Sequence, residues 1–259
     1  MDLGALILTS TVLLGRRFGH YLVVAIVPAV LTGALVAGSV LLGEVNPLLG
    51  WVAAVVVVVL RTLLALAGAA LTMGLAEGGL LGEERTFAQA AQRTRGTLRR
   101  VGWVQVAIAL LWALPLFGWV RASQWPDVRF GDVVVEFTLF GLFAPLVLLV
   151  WLSRFMFVVP VAALEHDKRG LQVYRRSWQT SRGHGRRLAG HVGVWGVALT
   201  VVVLVCTPLA QRWLGGVVPG HNLLGVVISQ TAVSLVLSVL GALWQVFTLV
   251  TWADVGRRG

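Results

Sequence analysis

Charge is scarce in this chain: Asp, Glu, Lys and Arg together make up 12% of 259 residues, and Lys168 is the only lysine. Soluble domains carry about 25% charged residues, so a water-facing surface cannot be built over most of the molecule. Cysteine occurs once, as Cys206 within an apolar run, which excludes an intrachain disulfide. The five histidines, His20, His166, His184, His191 and His221, show no paired ligand spacing, so no metal site is expected. His166 and His184 are expected in solvent, and His20 and His191 at an interface. No Walker loop, nucleophile elbow or dinucleotide fingerprint is present. With no acid, base and nucleophile converging by spacing, neither a cofactor nor an enzymatic role is expected. Before the first long apolar run, Met1 and Asp2 lead into an apolar stretch without a basic n-region, so no cleaved signal is expected.

What the chain has in quantity is apolar length. Hydrophobic residues make up 58% of it, and the mean hydropathy is +0.86. A span needs about 20 apolar residues, and six segments reach that length: Tyr21 to Leu42, Leu48 to Leu75, Val101 to Val120, Val133 to Leu164, Leu188 to Leu209 and Leu223 to Trp252. They are apolar all round rather than alternating, as buried or lipid-facing helices are. The expectation is an all-α polytopic membrane bundle of six spans, residues 1–259 forming one integral membrane domain. All-helical spans also imply a bacterial-type inner membrane, because outer-membrane proteins are barrels.

The net charge is +10, nearly all of it from arginine. Arg16 and Arg17 precede the first span, Arg85 to Arg100 lie between the second and third, Lys168 to Arg187 between the fourth and fifth, and Arg257 and Arg258 after the sixth. The opposite side has only Arg121, Arg129 and Arg212. Basic loops stay cytoplasmic, so both termini are expected in the cytoplasm. Anionic lipid headgroups are the expected counterpart of this charge, not nucleic acid, since no nucleic-acid module accompanies it. Trp51, Trp119, Trp125 and Trp213 border the short outer loops, at the headgroup level tryptophan favours.

Three Arg-Arg pairs open three spans: Arg16-Arg17, Arg99-Arg100 and Arg186-Arg187, spaced 83 and 87 residues apart. Gln92/Gln179, Arg95/Arg182 and Gly96/Gly183 recur at the second offset. The pattern predicts three units, 1–80, 81–167 and 168–259, each a short helix, an Arg-Arg corner and two spans. Ahead of the second pair, Phe87, Ala91, Thr94 and Leu98 share one helical face, against Arg85, Gln89, Gln92, Arg93, Arg99 and Arg100. Ahead of the third, Leu171, Tyr174 and Trp178 oppose Arg175, Gln179, Arg182 and Arg186. Such helices are expected to lie in the interface, arginines toward phosphates. The first, Leu3 to Leu14, has a less polar outer face. Arg16, Arg17, Arg95, Arg99, Arg100, Arg175, Trp178, Arg182, Arg186 and Arg187 are thus the expected headgroup contacts. Small-residue pairs such as Gly33/Ala37 and Gly68/Thr72 allow helices to approach.

Charges within or near spans stand apart. Arg61 lies mid-way along the second span, and a mid-membrane arginine costs from about 2.5 to more than about 10 kcal/mol. Arg154 lies in the fourth span, about 15 Å at helical rise from its inner end. Glu136 is near that span's outer end, while Glu77, Glu165 and Asp254 sit near inner ends. Two arrangements fit: Arg61 and Arg154 line a polar cavity with Glu77, Glu165 and Asp254 at its inner mouth, or these five form structural ion pairs.

The stretch Arg154-Phe155-Met156-Phe157-Val158-Val159-Pro160 through Glu165 has an Arg, a Pro and a Glu at set spacing. Tyr174-Arg175-Arg176-Ser177-Trp178-Gln179-Thr180-Ser181-Arg182-Gly183 follows, and Thr251-Trp252-Ala253-Asp254-Val255-Gly256-Arg257-Arg258 closes the chain. Together these resemble the glycerophosphodiester phosphodiesterase membrane domain family, over nearly the whole chain. Tyr174 stands where a small residue is usual, and Gly256 where an arginine is. The family name comes from members fused to a catalytic barrel, and a barrel takes about 250 residues. The resemblance is therefore expected to carry topology and not hydrolysis. A non-enzymatic membrane protein handling or organising lipid-like or anionic molecules is the leading reading, related to transport. The alternatives are the permease-like subunit of an exporter with a separate ATPase as partner, and a membrane-shaping scaffold.

Overall fold

Apolar runs that leave no backbone group to pair with solvent fold as helices, and every regular element described in the computed structural model is a helix. It describes residues 3–16, 18–81, 83, 85–122, 149–165, 167–217 and 223–256. In chain order the helices are α1 (Leu3–Arg16), α2 (Phe18–Val45), α3 (Pro47–Leu81), α4 (Phe87–Ala122), α5 (Val158–Leu164), α6 (Leu171–Ser181), α7 (Gly185–Val217) and α8 (Leu223–Gly256). No strand occurs among the described residues. Three stretches are long and apolar enough to cross a membrane: Phe18–Val36, Leu48–Leu81 and Ser234–Val255. They fall in α2, α3 and α8. The proposed third and fifth spans lie within α4 and α7. Residues 133–148 of the fourth, with Glu136, lie outside the described residues, as do Arg17, Arg129, Arg257 and Arg258.

The described end of the fourth span is not one continuous helix. The apolar stretch Leu149–Leu164 turns at Met156 and Phe157 before α5 begins. Pro160 accounts for the turn. Its ring clashes with the carbonyl four residues back, at Met156, and it has no N–H to continue the ladder.

Packing is concentrated at the end of the bundle that carries the arginine pairs. α3 packs on α2 and α4, and α8 packs on α2, α7, α1 and α3. The buried core draws on Leu6 and Leu13 of α1, Tyr21 of α2, Leu75 of α3 and Val101 of α4. Phe157, Val173 of α6, Leu188 of α7, and Phe247 and Val250 of α8 complete it. Away from that end large apolar side chains stand outward, among them Val45, Leu48, Val52, Leu111, Val197 and Val201. In water such a surface would be costly; against acyl chains it needs no cover.

The corners expected at the Arg-Arg pairs are not alike. The first falls on Arg17, outside the described residues, while α6 ends at Ser181 before α7 begins at Gly185, with Gly183 at φ 89° in between. Only glycine adopts that backbone without strain. Arg99 and Arg100 instead lie inside the uninterrupted α4, so the corner expected there does not exist. Gly96, at the position matching Gly183, has another role. Arg100 folds back over it, its Nη2 2.7 Å from where a Cβ would sit.

Candidate functional site

The segments Arg154 to Glu165 and Tyr174 to Gly183 lock onto each other. α6 buries Val173, Tyr174, Ser177 and Ser181. Where the helix breaks after Arg154, the Arg154 carbonyl accepts hydrogen bonds from Ser177 Oγ at 3.1 Å and Ser181 Oγ at 3.2 Å. The Arg154 guanidinium lies over the Trp178 ring, 5.1 Å from its centroid. Phe155 sits between Tyr174 and Trp178, 5.7 Å from each ring. Arg176 Nε donates to both Glu165 oxygens at 3.2 Å. Each side chain in Arg176-Ser177-Trp178 therefore meets the segment Arg154 to Glu165.

Locking one face of α6 leaves the other turned out. Arg175, Gln179, Arg182 and the following Arg186 are exposed, as the spacing predicts. Of the apolar side chains expected opposite them, Tyr174 is buried, whereas Leu171 and Trp178 flank the buried face and are 73% and 44% exposed. The inner face is centred on Val173 and Ser177, because Ser177 and Ser181 must reach the Arg154 carbonyl. In α4, likewise, Ala90, Thr94, Thr97 and Val101 are buried, whereas Phe87 is exposed.

Tyr174 donates its hydroxyl hydrogen to Gln105 Oε1. Burial pushes its pKa up from 10.0 to about 12. The folded chain thus holds this proton more tightly than the unfolded chain. Stability is full below about pH 10 and is lost as pH rises toward about 12. Thermal unfolding across that window should show a fall in Tm for the native chain that Tyr174→Phe removes. An identical pH profile for the variant would show that Tyr174 is not the group responsible.

The predicted carboxylates are all in ion pairs. Glu77 Oε2 accepts from both Arg85 and Arg93, joining the end of α3 to the start of α4. Arg187 reaches Asp254 at 3.3 Å, joining α7 to α8. Arg100 and Arg187, expected to face headgroups, turn inward. Arg100 Nη1 donates to the Ala162 carbonyl at 2.9 Å and the Glu165 carbonyl at 3.4 Å. These are carbonyls at the C-terminal end of α5, where a cation is favoured. Burial, and then the nearby Arg169 charge, lowers the Arg100 pKa. Arg16, Arg95 and Arg99 remain exposed. A cleft of about 780 Å³ lies beside this group, lined by Glu83, Arg85, Gln89, Gln92, Arg93, Gly96 and Arg100.

Arg61 and Arg154 do not share a cavity. Sixteen residues separate Arg61 from Glu77 on α3, about 24 Å at helical rise. Arg61 lines a second cavity, of about 210 Å³, between α2, α3 and α8, and neither Arg154 nor any of the three carboxylates reaches it. The histidines are also placed differently. His191 is buried against Phe247, in an aromatic group with Trp195 and Trp244, and His184 is half-buried. Among the described residues no cluster of side chains is arranged to hold a metal.

Reading the sequence alone missed Ser177, Ser181 and Gln105 as contact residues, although Ser177 and Ser181 stand inside the stretch Tyr174 to Gly183. Comparison of the chain with protein-family models, curated proteins and solved structures finds no match.

Proposed function

We propose that this chain is a non-enzymatic, six-span protein of a bacterial-type cytoplasmic membrane that binds and organises anionic lipid on the inner leaflet. In this reading both termini are cytoplasmic, and the lipid contact serves the handling of lipid-like or anionic molecules. The observation that carries it is the docked α6. Its inner face is tied down through Ser177 and Ser181 and its flank through Trp178, so Arg175, Gln179 and Arg182 are held outward. A helix with arginines on one side and a leucine and tryptophan at its margins suits the headgroup layer, where basic side chains meet phosphates. The motif resemblance to the glycerophosphodiester phosphodiesterase membrane domain is a further support, because its Arg-Arg-Ser-Trp element is the one that docks.

The test is the lipid co-extracted with the chain in polymer-bounded membrane particles. The native chain should be enriched in phosphatidylglycerol over phosphatidylcholine. Arg175→Gln combined with Arg182→Gln should cut that enrichment by about fivefold per arginine, equivalent to about 1 kcal/mol each. An unchanged lipid ratio in a folded variant would refute the reading. A stoichiometric ATPase in the same particles would instead recast α6 as a coupling helix.

A further inference from the structure

Most hydroxyls in these helices are satisfied locally. Thr9, Ser10, Thr62, Thr94, Thr97, Thr200 and Thr251 each donate to the carbonyl four residues back. The cavity between α2, α3 and α8 is different. Six polar side chains line it: Thr32 from α2, Arg61 and Thr72 from α3, and Ser234, Ser238 and Gln245 from α8. Among the described residues none of the six makes a side-chain hydrogen bond or an ion pair. Polar groups set within apolar spans ordinarily face a partner, a cavity or water, and a set of them lining one space calls for a polar occupant.

The charge of that occupant follows from Arg61. It lies near the middle of the most apolar of the three candidate spans. Such an arginine ordinarily pairs with a carboxylate or faces water. Glu77, Glu165 and Asp254 are already engaged by Arg85, Arg93, Arg176 and Arg187. A guanidinium presents a planar fork of donors that matches a phosphate or carboxylate, and hydroxyls and an amide complete such a shell. The volume of about 210 Å³ would hold about seven waters at about 30 Å³ each. It accommodates a phosphate with a small polar substituent but not acyl chains. Arg61 is exposed at the cavity mouth, with Val23, Val27 and Leu60 exposed on the same two helices. A headgroup entering sideways would leave its chains along that apolar flank.

We propose that this cavity is an intramembrane phosphate-binding site, with Arg61 as the charged ligand and Thr32, Thr72, Ser234, Ser238 and Gln245 as its hydrogen-bonding wall. The phosphate comes either from a phospholipid headgroup or from the free anion. The site shares no residue with α6, so it can fail while the surface reading stands.

The full chain, purified in mild detergent, would be tested in two arms. Native mass spectrometry counts phosphatidylglycerol retained after delipidation, and equilibrium dialysis measures bound radiolabelled orthophosphate. The native chain should retain the lipid, bind the free anion, or both; the arm that responds names the source. Arg61→Gln should reduce binding by at least about tenfold, as expected for a charge-assisted hydrogen bond, with Arg61→Lys intermediate. Thr72→Val, which keeps shape and removes one hydroxyl, should weaken binding with the fold intact. Binding in neither arm would mean that the cavity holds water only and would overturn the proposal. So would binding indifferent to both Arg61→Gln and Thr72→Val. If Arg61→Gln does not fold, Thr72→Val decides alone: weaker binding upholds the site, and unchanged binding removes it.

Discussion

Glu77→Gln should lower the unfolding temperature of the solubilised chain by about 5–10 °C, and removing Arg93 as well should restore part of it. Two arginines share one Glu77 oxygen, and the Arg85 and Glu77 side chains are only 13% and 20% exposed. Breaking a buried ion pair costs about 3–5 kcal/mol because a charge is left uncompensated. Arg93 is 32% exposed, and water reaching it lowers the figure to about 2–3 kcal/mol, with about 2–4 °C per kcal/mol for a chain of this size. Arg85 keeps Glu83 at 3.5 Å, so Arg93 is the arginine stranded. Arg93→Gln in the Glu77→Gln background therefore removes the unpaired charge, and coupling of this kind is what a double-mutant cycle measures. Strict additivity of the two losses would show that the triad is not coupled, and that the α3–α4 junction is held by packing alone.

Gly33→Val should prevent recovery of monodisperse protein, while Gly68→Ala should be tolerated. A Cβ on Gly33 would fall on the Thr231 hydroxyl and stand 3.0 Å from Thr231 Cα and 3.1 Å from its backbone nitrogen. A rotamer change at Thr231 relieves the first contact but not the other two, so α2 and α8 would have to separate. Overpacking of this kind costs about 1–3 kcal/mol for modest insertions, and a branched side chain against backbone lies at or above the top of that range. Thr231→Ala should for the same reason fail to rescue Gly33→Val. At Gly68 the nearest atoms to an added Cβ are Pro28 Cγ and Val24 Cγ1, both at 3.9 Å, ordinary contact for a methyl. Size-exclusion profiles of the variants decide this. A monodisperse Gly33→Val protein with native Tm would show that α2 and α8 do not meet as closely as described.

Membrane character was legible from composition and run length, because a chain with so few charges has no other means of covering its apolar surface. The three apolar stretches in α2, α3 and α8 overlap the first, second and sixth spans read from the residues alone. The outward arginines of α6 were legible too, because helical spacing puts Arg175, Gln179 and Arg182 on one side whatever they pack against. The side that packs against the protein, centred on Val173 and Ser177, was not legible. Apolar periodicity does not register that two serines satisfy a carbonyl on a distant, proline-broken segment.

The polar cavity shows the same division more sharply. Ser234, Ser238 and Gln245 fall at helical spacing on α8, as do Arg61, Gly68 and Thr72 on α3. Each stripe stands in the sequence, but a single stripe is only a polar flank within a span. Which carboxylate answers which arginine was equally open, since Glu77, Glu165 and Asp254 all sit near helix ends with several cations in reach. The sequence by itself determined that the chain is helical, that it is built for a membrane, and that its arginines gather at one end. Those properties follow from local spacing and the transfer of apolar groups out of water. Tertiary structure alone decided that Arg154 stacks on Trp178, that Glu77 is held by two arginines, and that Arg61 lies at a cavity apart from every described carboxylate. Those are contacts between separate helices or across the turns that join them, and residue order carries no distance for them.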